Sequence, residues 1–555
     1  MNHACRYCDA LHWIEEAASG TGEDSLFELC CKKDAVRLQA FADPPPYLRQ
    51  LLLANNAQTR EFYKYVRSYN AALAFTSCNY TKDRRNPDIT GLNAFQVQGE
   101  VFHLLDHLDP AVGVQPNYAQ LYFYDPELAN DIRLQARPNA GLNPIVLMEL
   151  ANMLYQHNPF IERFRTAREL INSSSIVDTN GASIRLNPRL QLVLEDGTER
   201  RRYNLPTANE VALIIPDGAD SSYRDVVIAK RYGLGEQPSF NRITDQNPSY
   251  MPLHYVLLFP YGDGGWQEAL QMSAQNGARV RTNISRREFY NFNLHPRRQW
   301  FLVPFAYRRL FQQYIVDAWA LVDQAKLNYI RNNQASIRAD LYSGLRDAID
   351  RGDTDLLDVG RRTVLPSGYV GGARFAAQCY QDSMAIVRHY GRPAFFITFT
   401  ANPTWPEIKR ELLPGQTAMD RPDLVARVFH LKAKELLRDL KNNQFGRYEG
   451  CMWTIEYQKR GLPHMHLLLF IHSDDRNMLT DPVQVDRHVC AELPQEADDP
   501  DGSLTALIKT VMVHKCGLGA PCMVLRKPGE PPTCSKRFPK RFADSTVVHS
   551  DGFPE

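Results

Sequence analysis

Between residues 394 and 471 the chain carries a pattern that only a mixed layer of helix and sheet satisfies. Residues 394–400 (AFFITFT) are β-branched and aromatic, and Asn402-Pro403 ends them, which predicts a strand. Pro422 suits a first helical turn, and Val425, Phe429, Ala433, Leu436 and Leu440 share one face of a helix reaching Asn442. Residues 451–457 then predict a strand, 458–463 a turn and 464–471 another strand. Strand, helix, strand, turn, strand implies an antiparallel α+β layer.

The same segment carries the clearest chemistry. Residues two apart on a strand point to one face, so His464 and His466 project together and Met465 turns away. Glu456 lies across the expected hairpin and Gln458 shares its parity. Two imidazoles and a carboxylate, with Gln458 as a further ligand or supporting group, make a site for Mg²⁺ or Mn²⁺ with open positions for a phosphate oxygen. A His-x-His pair alone also suits a purely structural role; the paired carboxylate and the hairpin favour the metal.

The remaining sequence predicts three regions in a chain of 555 residues: 1–46, rich in cysteine; 47–360, mixed; and 373–555, holding the α+β layer. In the middle region, 72–77 and 211–215 read as short buried strands, 255–260 as an apolar strand before the Gly-rich turn at 261–266, and 307–333 as a long helix. Residues 353–372 read as a boundary. The apolar stretches are far shorter than the roughly 18 residues of a membrane span, and the first residues lack a signal-peptide pattern. An intracellular protein is the expectation. No Gly-Lys dipeptide occurs, which excludes a Walker-type phosphate loop.

Eleven cysteines, seven of them in two clusters, favour metal over disulfides in a reducing compartment. Cys5-x-x-Cys8 with Cys30 and Cys31 offers four thiols for a structural Zn²⁺. Adjacent cysteines are an unusual pair on a chain whose neighbouring side chains diverge, so His3 or His12 is an alternative to one of them. His514, Cys516, Cys522 and Cys534 form a second set, in a loop rich in Gly and Pro that needs a staple.

A net charge of +1 hides segregated charge. Residues 279–309 hold eight Arg and one acid, interleaved with aromatic residues, while 474–501 hold nine acids and two Arg. Guanidinium groups beside aromatic rings suit single-stranded nucleic acid. The candidate DNA contacts are Arg286, Arg287, Arg297 and Arg298, then Lys459 and Arg460 in the hairpin turn, and Lys536, Arg537, Lys540 and Arg541. The competing reading is that the aromatic residues are core and the arginines a solvated face.

The segment EYQKRGLPHMH (456–466) resembles the metal motif of Rep-type (HUH) single-strand DNA endonucleases in the version found in Helitron transposases, and FFITFTANPTWPEI (395–408) resembles their first Rep motif. Upstream, RSYNAALAFTS, YAQLYFYD, YMPLHYVLLFPYGDGGW and RLFQQYIVDAWALVDQAKLNYIRNNQ resemble the Helitron helicase-like N-terminal region. The resemblance implies that His464, His466 and Glu456 bind metal in a C-terminal HUH domain. It implies a single-stranded DNA partner, a nuclear or otherwise intracellular location, and rolling-circle transposition through a covalent 5′-phosphotyrosine. Similar cysteine spacing in the family supports zinc at the N-terminus.

In that family the nucleophilic tyrosines follow the histidine pair, and a helicase domain follows them. The last tyrosine of this sequence is Tyr457, whose strand parity is opposite to that of Glu456. The expectation is therefore a chain that binds DNA and metal but does not cleave by the family mechanism. The alternatives are a non-catalytic DNA-binding protein derived from a transposon and a metal-dependent nuclease using water.

Overall fold

The structure, a computed structural model, describes residues 1–39, 41–82, 97–104, 115–139, 141–162, 165, 176–177, 183–184, 192–193, 210–214, 226–230, 240–243, 248–262, 264–273, 282–298, 304–334, 365–457, 461–479, 481–489, 492–517, 520, 522–524 and 531–548. It mixes helix and sheet and divides into two compact units. The first comprises Met1–Ala377, Thr400–Lys432 and Tyr457–His464; the second comprises Gln378–Phe399, Ala433–Glu456 and Met465–Glu555. No helix among the described residues is long and apolar enough to cross a membrane.

The first unit is built around helices. Ala57–Leu73 starts at Asn56, whose side chain accepts from the Thr59 N–H at 2.8 Å and satisfies one orphan donor of the first turn. Its buried Phe62, Val66, Tyr69 and Leu73 step by three and four, the spacing of one helical face. Pro144–His157 adds Val146, Leu147, Leu150, Ala151 and Leu154, and Arg309–Asn332 adds Phe311, Tyr314, Ala318 and Val322. All belong to one apolar core. That core also contains Cys5, Phe27, Cys30, Cys31 and Val36, so the cysteine-bearing first 46 residues fold as part of this unit.

Three local expectations change. Residues 72–73 are the last turn of the helix Ala57–Leu73, and the strand begins only at Ser77. The helix end is buried, so its carbonyls need internal donors. Arg133 Nε donates to Ala72 O at 3.0 Å and Tyr122 Oη to Leu73 O at 2.5 Å. The apolar run 255–260 is a series of turns, not a strand, and it follows a short helix, Tyr250–His254. Buried Asn70 pins it, donating to His254 O at 2.8 Å and accepting from the Leu257 N–H at 3.3 Å. The turn after it needs Gly265, because a Cβ there would sit 1.7 Å from Pro248 O. The third change is in the long helix. It begins at Arg309, two residues after its expected start, and its buried residues are Leu310, Phe311, Tyr314, Ala318, Leu321, Val322 and Ile330. The strand expected at 211–215 is present as Glu210–Ile214, paired antiparallel with Val226–Lys230.

His254 gives this unit a pH dependence. It is buried with Nδ1 3.1 Å from Thr76 O, and burial pushes its pKa down from 6.5 to about 4. A neutral buried imidazole stabilises the fold above its unfolded pKa, and that contribution is lost as pH falls. Between pH 6.5 and 4 the loss is about 1.4 kcal/mol per pH unit. We expect the thermal midpoint to fall from pH 7 to 5 in the wild type, and to fall less in His254→Gln. Equal slopes in a melting series would exclude this origin.

A three-stranded sheet, most of whose residues belong to the second unit, has Pro463–Ile471 between Phe395–Thr400 and Tyr448–Tyr457. Ala394 N–H donates to Leu469 O at 2.8 Å and Ala401 N–H to Pro463 O at 3.0 Å, an antiparallel order of contacts, and on the other side His472 N–H donates to Arg447 O at 2.9 Å. The central strand alternates as its sequence requires. Met465, Leu467 and Leu469 are buried, while His464, His466 and Leu468 are half-buried. Helix Ala373–Tyr390, which the sequence reading did not assign, precedes the sheet. Helix Pro422–Lys441 follows its first strand, as expected.

Candidate metal centres and the histidine strand

Cys5 and Cys8 lie in the turn joining two short antiparallel strands, His3–Ala4 and Leu11–His12. Cys5 N–H donates to Ala10 O and Asp9 N–H to Cys5 O, both at 2.8 Å, and Asp9 closes the turn with φ 55. Cys30 and Cys31 sit in consecutive turns followed by Lys32, Lys33 and Asp34 at φ 53, 54 and 70. Turn backbone does not alternate its side chains as a strand does. Adjacent cysteines can therefore both point inward here, which resolves the difficulty raised by their spacing. All four sulfur atoms lie within 4.8 Å of one another. His12 is occupied elsewhere, with Nδ1 3.1 Å from Glu16 and its ring stacked on Phe27.

The cluster favours thiolates at its first two members. Thiol hydrogen bonds from Cys30, Cys31 and Cys8 hold Cys5 far below the ordinary thiol range. Cys30 and Cys31, with a contribution from Arg297, bring Cys8 to about 7. Bonds to Cys31, Cys5 and Cys8 push Cys30 up. A set of four sulfur ligands, three of them buried and two favoured as thiolates, suits a closed tetrahedral zinc site.

The second cluster combines His514, Cys516, Cys522 and Cys534, again with all ligand atoms within 4.8 Å. A two-residue hairpin, Met523–Val524 against Thr533–Cys534, carries Cys534 and follows Cys522. His514 Nε2 lies 3.3 Å from Cys534 Sγ, and Cys516 Sγ lies 3.7 Å from Cys522 Sγ. Burial raises the Cys534 pKa, but N–H groups of Phe538 and Lys536, with His514 and Cys516, outweigh it and bring the thiol to about 6. Both clusters can hold a metal such as zinc. Lys536, Arg537, Lys540 and Arg541 follow Cys534 directly and are exposed.

The Arg-rich stretch divides by burial. Arg286 is buried, donates to Leu321 O at 2.9 Å and lies over the Trp266 ring. Arg297 is buried, donating to Cys8 O at 2.7 Å, Phe292 O at 2.8 Å and His295 O at 3.0 Å, with Nη2 3.6 Å from Cys8 Sγ. Neither guanidinium is presented to a nucleic acid. Arg287 and Arg298 are exposed. Phe289, Tyr290, Phe292, Phe305 and Tyr307 are core residues, so their rings do not offer faces to bases. Gln458, Lys459 and Arg460 lie outside the described residues.

On the histidine strand, His466 Nε2 lies 3.5 Å from Glu456 Oε2 on the adjacent strand. The His466 ring stacks on Phe396, with centroids 5.4 Å apart and planes 7° from parallel. His464 Nδ1 is hydrogen-bonded to Thr400 Oγ1 at 2.5 Å. Among the described residues, the sets of three or more ligand atoms gathered within 4.8 Å are the two Cys and His clusters, and the histidine strand is not one of them. What it offers is a His–carboxylate pair with a second imidazole two residues away on the same strand.

Residues 289–469 match the family described as the Helitron helicase-like domain at N-terminus. The match takes in the long helix, the helix Pro422–Lys441 and the strands bearing Glu456, His464 and His466, and it supports a Helitron-related protein. No curated protein matches the chain.

Proposed function

We propose that this chain is the N-terminal and Rep-type endonuclease portion of a Helitron-like rolling-circle transposase, and that it binds single-stranded DNA together with Mg²⁺ or Mn²⁺. The observation that carries the reading is the 3.5 Å pairing of His466 with Glu456 inside the segment that matches the Helitron domain. His464, His466 and Glu456, with Gln458, would hold the divalent ion. When bound, such an ion polarises a phosphodiester and neutralises charge at the scissile group. Arg287, Arg298, Lys536, Arg537, Lys540 and Arg541 are exposed and supply the phosphate contacts of this reading. Two structural zinc ions complete it.

No tyrosine follows Tyr457 in these 555 residues. Tyr457 itself is exposed at the strand end, one position from Glu456 and so on the other face.

The test uses a labelled single-stranded oligonucleotide and the full 555-residue chain. Mn²⁺ is expected to tighten binding at least about tenfold, and His464→Ala/His466→Ala is expected to abolish that gain. No covalent adduct is expected on a denaturing gel. Binding indifferent to Mn²⁺ would favour a non-catalytic DNA-binding protein. Mn²⁺-dependent nicking without an adduct would favour a nuclease that uses water.

A further inference from the structure

We propose that Phe396 is a stacking platform for one unpaired nucleobase of the strand held at the histidine site, an inference that rests on the reading above. Phe396 lies on the sheet's first strand between two other aromatic positions, yet its environment differs from theirs. Phe395 is half-buried and packs against Phe445 at 5.6 Å, and Phe399 is half-buried. Phe396 is 66% exposed. One face of its ring is taken by His466, in the near-parallel arrangement already described. The other face is left to water, at a place where burying it against a neighbour would stabilise the fold.

The imidazole beneath it is flanked by the Glu456 carboxylate, so an apolar plate stands beside the group proposed to hold the metal and its phosphate. A nucleotide is the ligand that needs both at once: a phosphate for the cation and a flat apolar face for the ring. The arrangement also selects the form of the nucleic acid. In a duplex each base face is covered by its neighbours, so a lone exposed ring can stack only on an unpaired base. Trp453 is an exposed aromatic side chain too, 51%, but it stands an odd number of residues from Glu456 and so on the other face of its strand. It serves as the control.

The experiment measures polarisation of a labelled single strand with Mn²⁺ present, using the full chain and a set of oligonucleotides each lacking one base. Phe396→Ala is expected to weaken binding by about five- to a hundredfold, with Phe396→Trp close to wild type and Trp453→Ala close to wild type. On one abasic oligonucleotide the Phe396→Ala loss should vanish, because the base that the ring would meet is already gone. A merely structural role would give the same loss on every oligonucleotide, and that pattern overturns the proposal. So does an unchanged affinity in Phe396→Ala while the wild type keeps its Mn²⁺ response, which leaves the metal reading intact. Loss of the Mn²⁺ response in the wild type itself would instead remove the metal reading, and this inference with it. Since the ring is exposed, Phe396→Ala should keep the wild-type circular dichroism.

Discussion

Stripping zinc from the protein is expected to unfold the first compact unit. Cys5, Cys30 and Cys31 are not an appendage. They are 1%, 2% and 0% exposed and share a core with Phe27, Val36 and the helices from 57 to 332. Around them the chain has little regular structure, with two-residue strands, turns and three consecutive residues at positive φ. Such a segment has little backbone pairing to hold it, and a metal bound by the four cysteines would close it. Structural zinc contributes about 10–16 kcal/mol of apparent binding energy at neutral pH, against a total stability of roughly 5–15 kcal/mol for a typical domain. Loss of the ion therefore exceeds what the rest of the core can offset locally. We expect wild-type protein to hold two equivalents of zinc, and Cys30→Ser to hold one and melt well below wild type. Cys516→Ser should also hold one equivalent, with a much smaller change in melting, because Cys516 is exposed and the regular structure its cluster ties, among the described residues, is a pair of two-residue strands. A zinc-free wild type with an unchanged melting curve would defeat this account.

The parts legible in the sequence are those whose pattern is set locally. The helix Pro422–Lys441 and the strands Phe395–Thr400 and Pro463–Ile471 carry their periodicity over whole elements, and each lies close to its expected place. His464 and His466 are half-buried between buried Met465 and Leu467 because strand alternation leaves no other choice. Short apolar runs carry no such information. Residues 72–75 are an unbroken apolar run, which suits a buried helix end as well as a strand. The run before the Gly-rich turn misleads for the same reason. Tertiary placement is less legible still. The sequence holds three phenylalanines in 395–399, and only pairing with the central strand sets Phe396 apart by stacking it on His466. Adjacent Cys30 and Cys31 look unsuited to one ion until the left-handed residues after them are known.

Arg297 and Arg298 put the limits of sequence reading to an experimental test, because a single pattern of arginine among aromatic residues covers both and the fold separates them. Arg297 spans three carbonyls, those of Cys8, Phe292 and His295, stacks over the Phe292 ring at 3.9 Å, and reaches Cys8 Sγ. Four thiolates around one Zn²⁺ leave a net negative charge in a buried place, and this guanidinium is a positive charge beside it. Removing it uncovers buried acceptors and takes away that counter-charge, a loss of about 3–5 kcal/mol. Arg297→Ala is therefore expected to melt lower and to release zinc from the first cluster at lower chelator concentration. The salt dependence of DNA binding by its folded fraction should be that of the wild type. Arg297→Lys keeps the charge but not the planar fork, so it should fall between the two. Arg298→Ala should behave in the opposite way. The residue is exposed, so its melting should stay within about 0.5 kcal/mol of wild type. If it meets a phosphate of a single strand, the slope of log affinity against log salt should become shallower by about 0.7. A shallower slope in Arg297→Ala with an unchanged melting curve and unchanged zinc would mean that the buried guanidinium is presented to DNA after all, and the assignment of roles to these two neighbours would have to be exchanged.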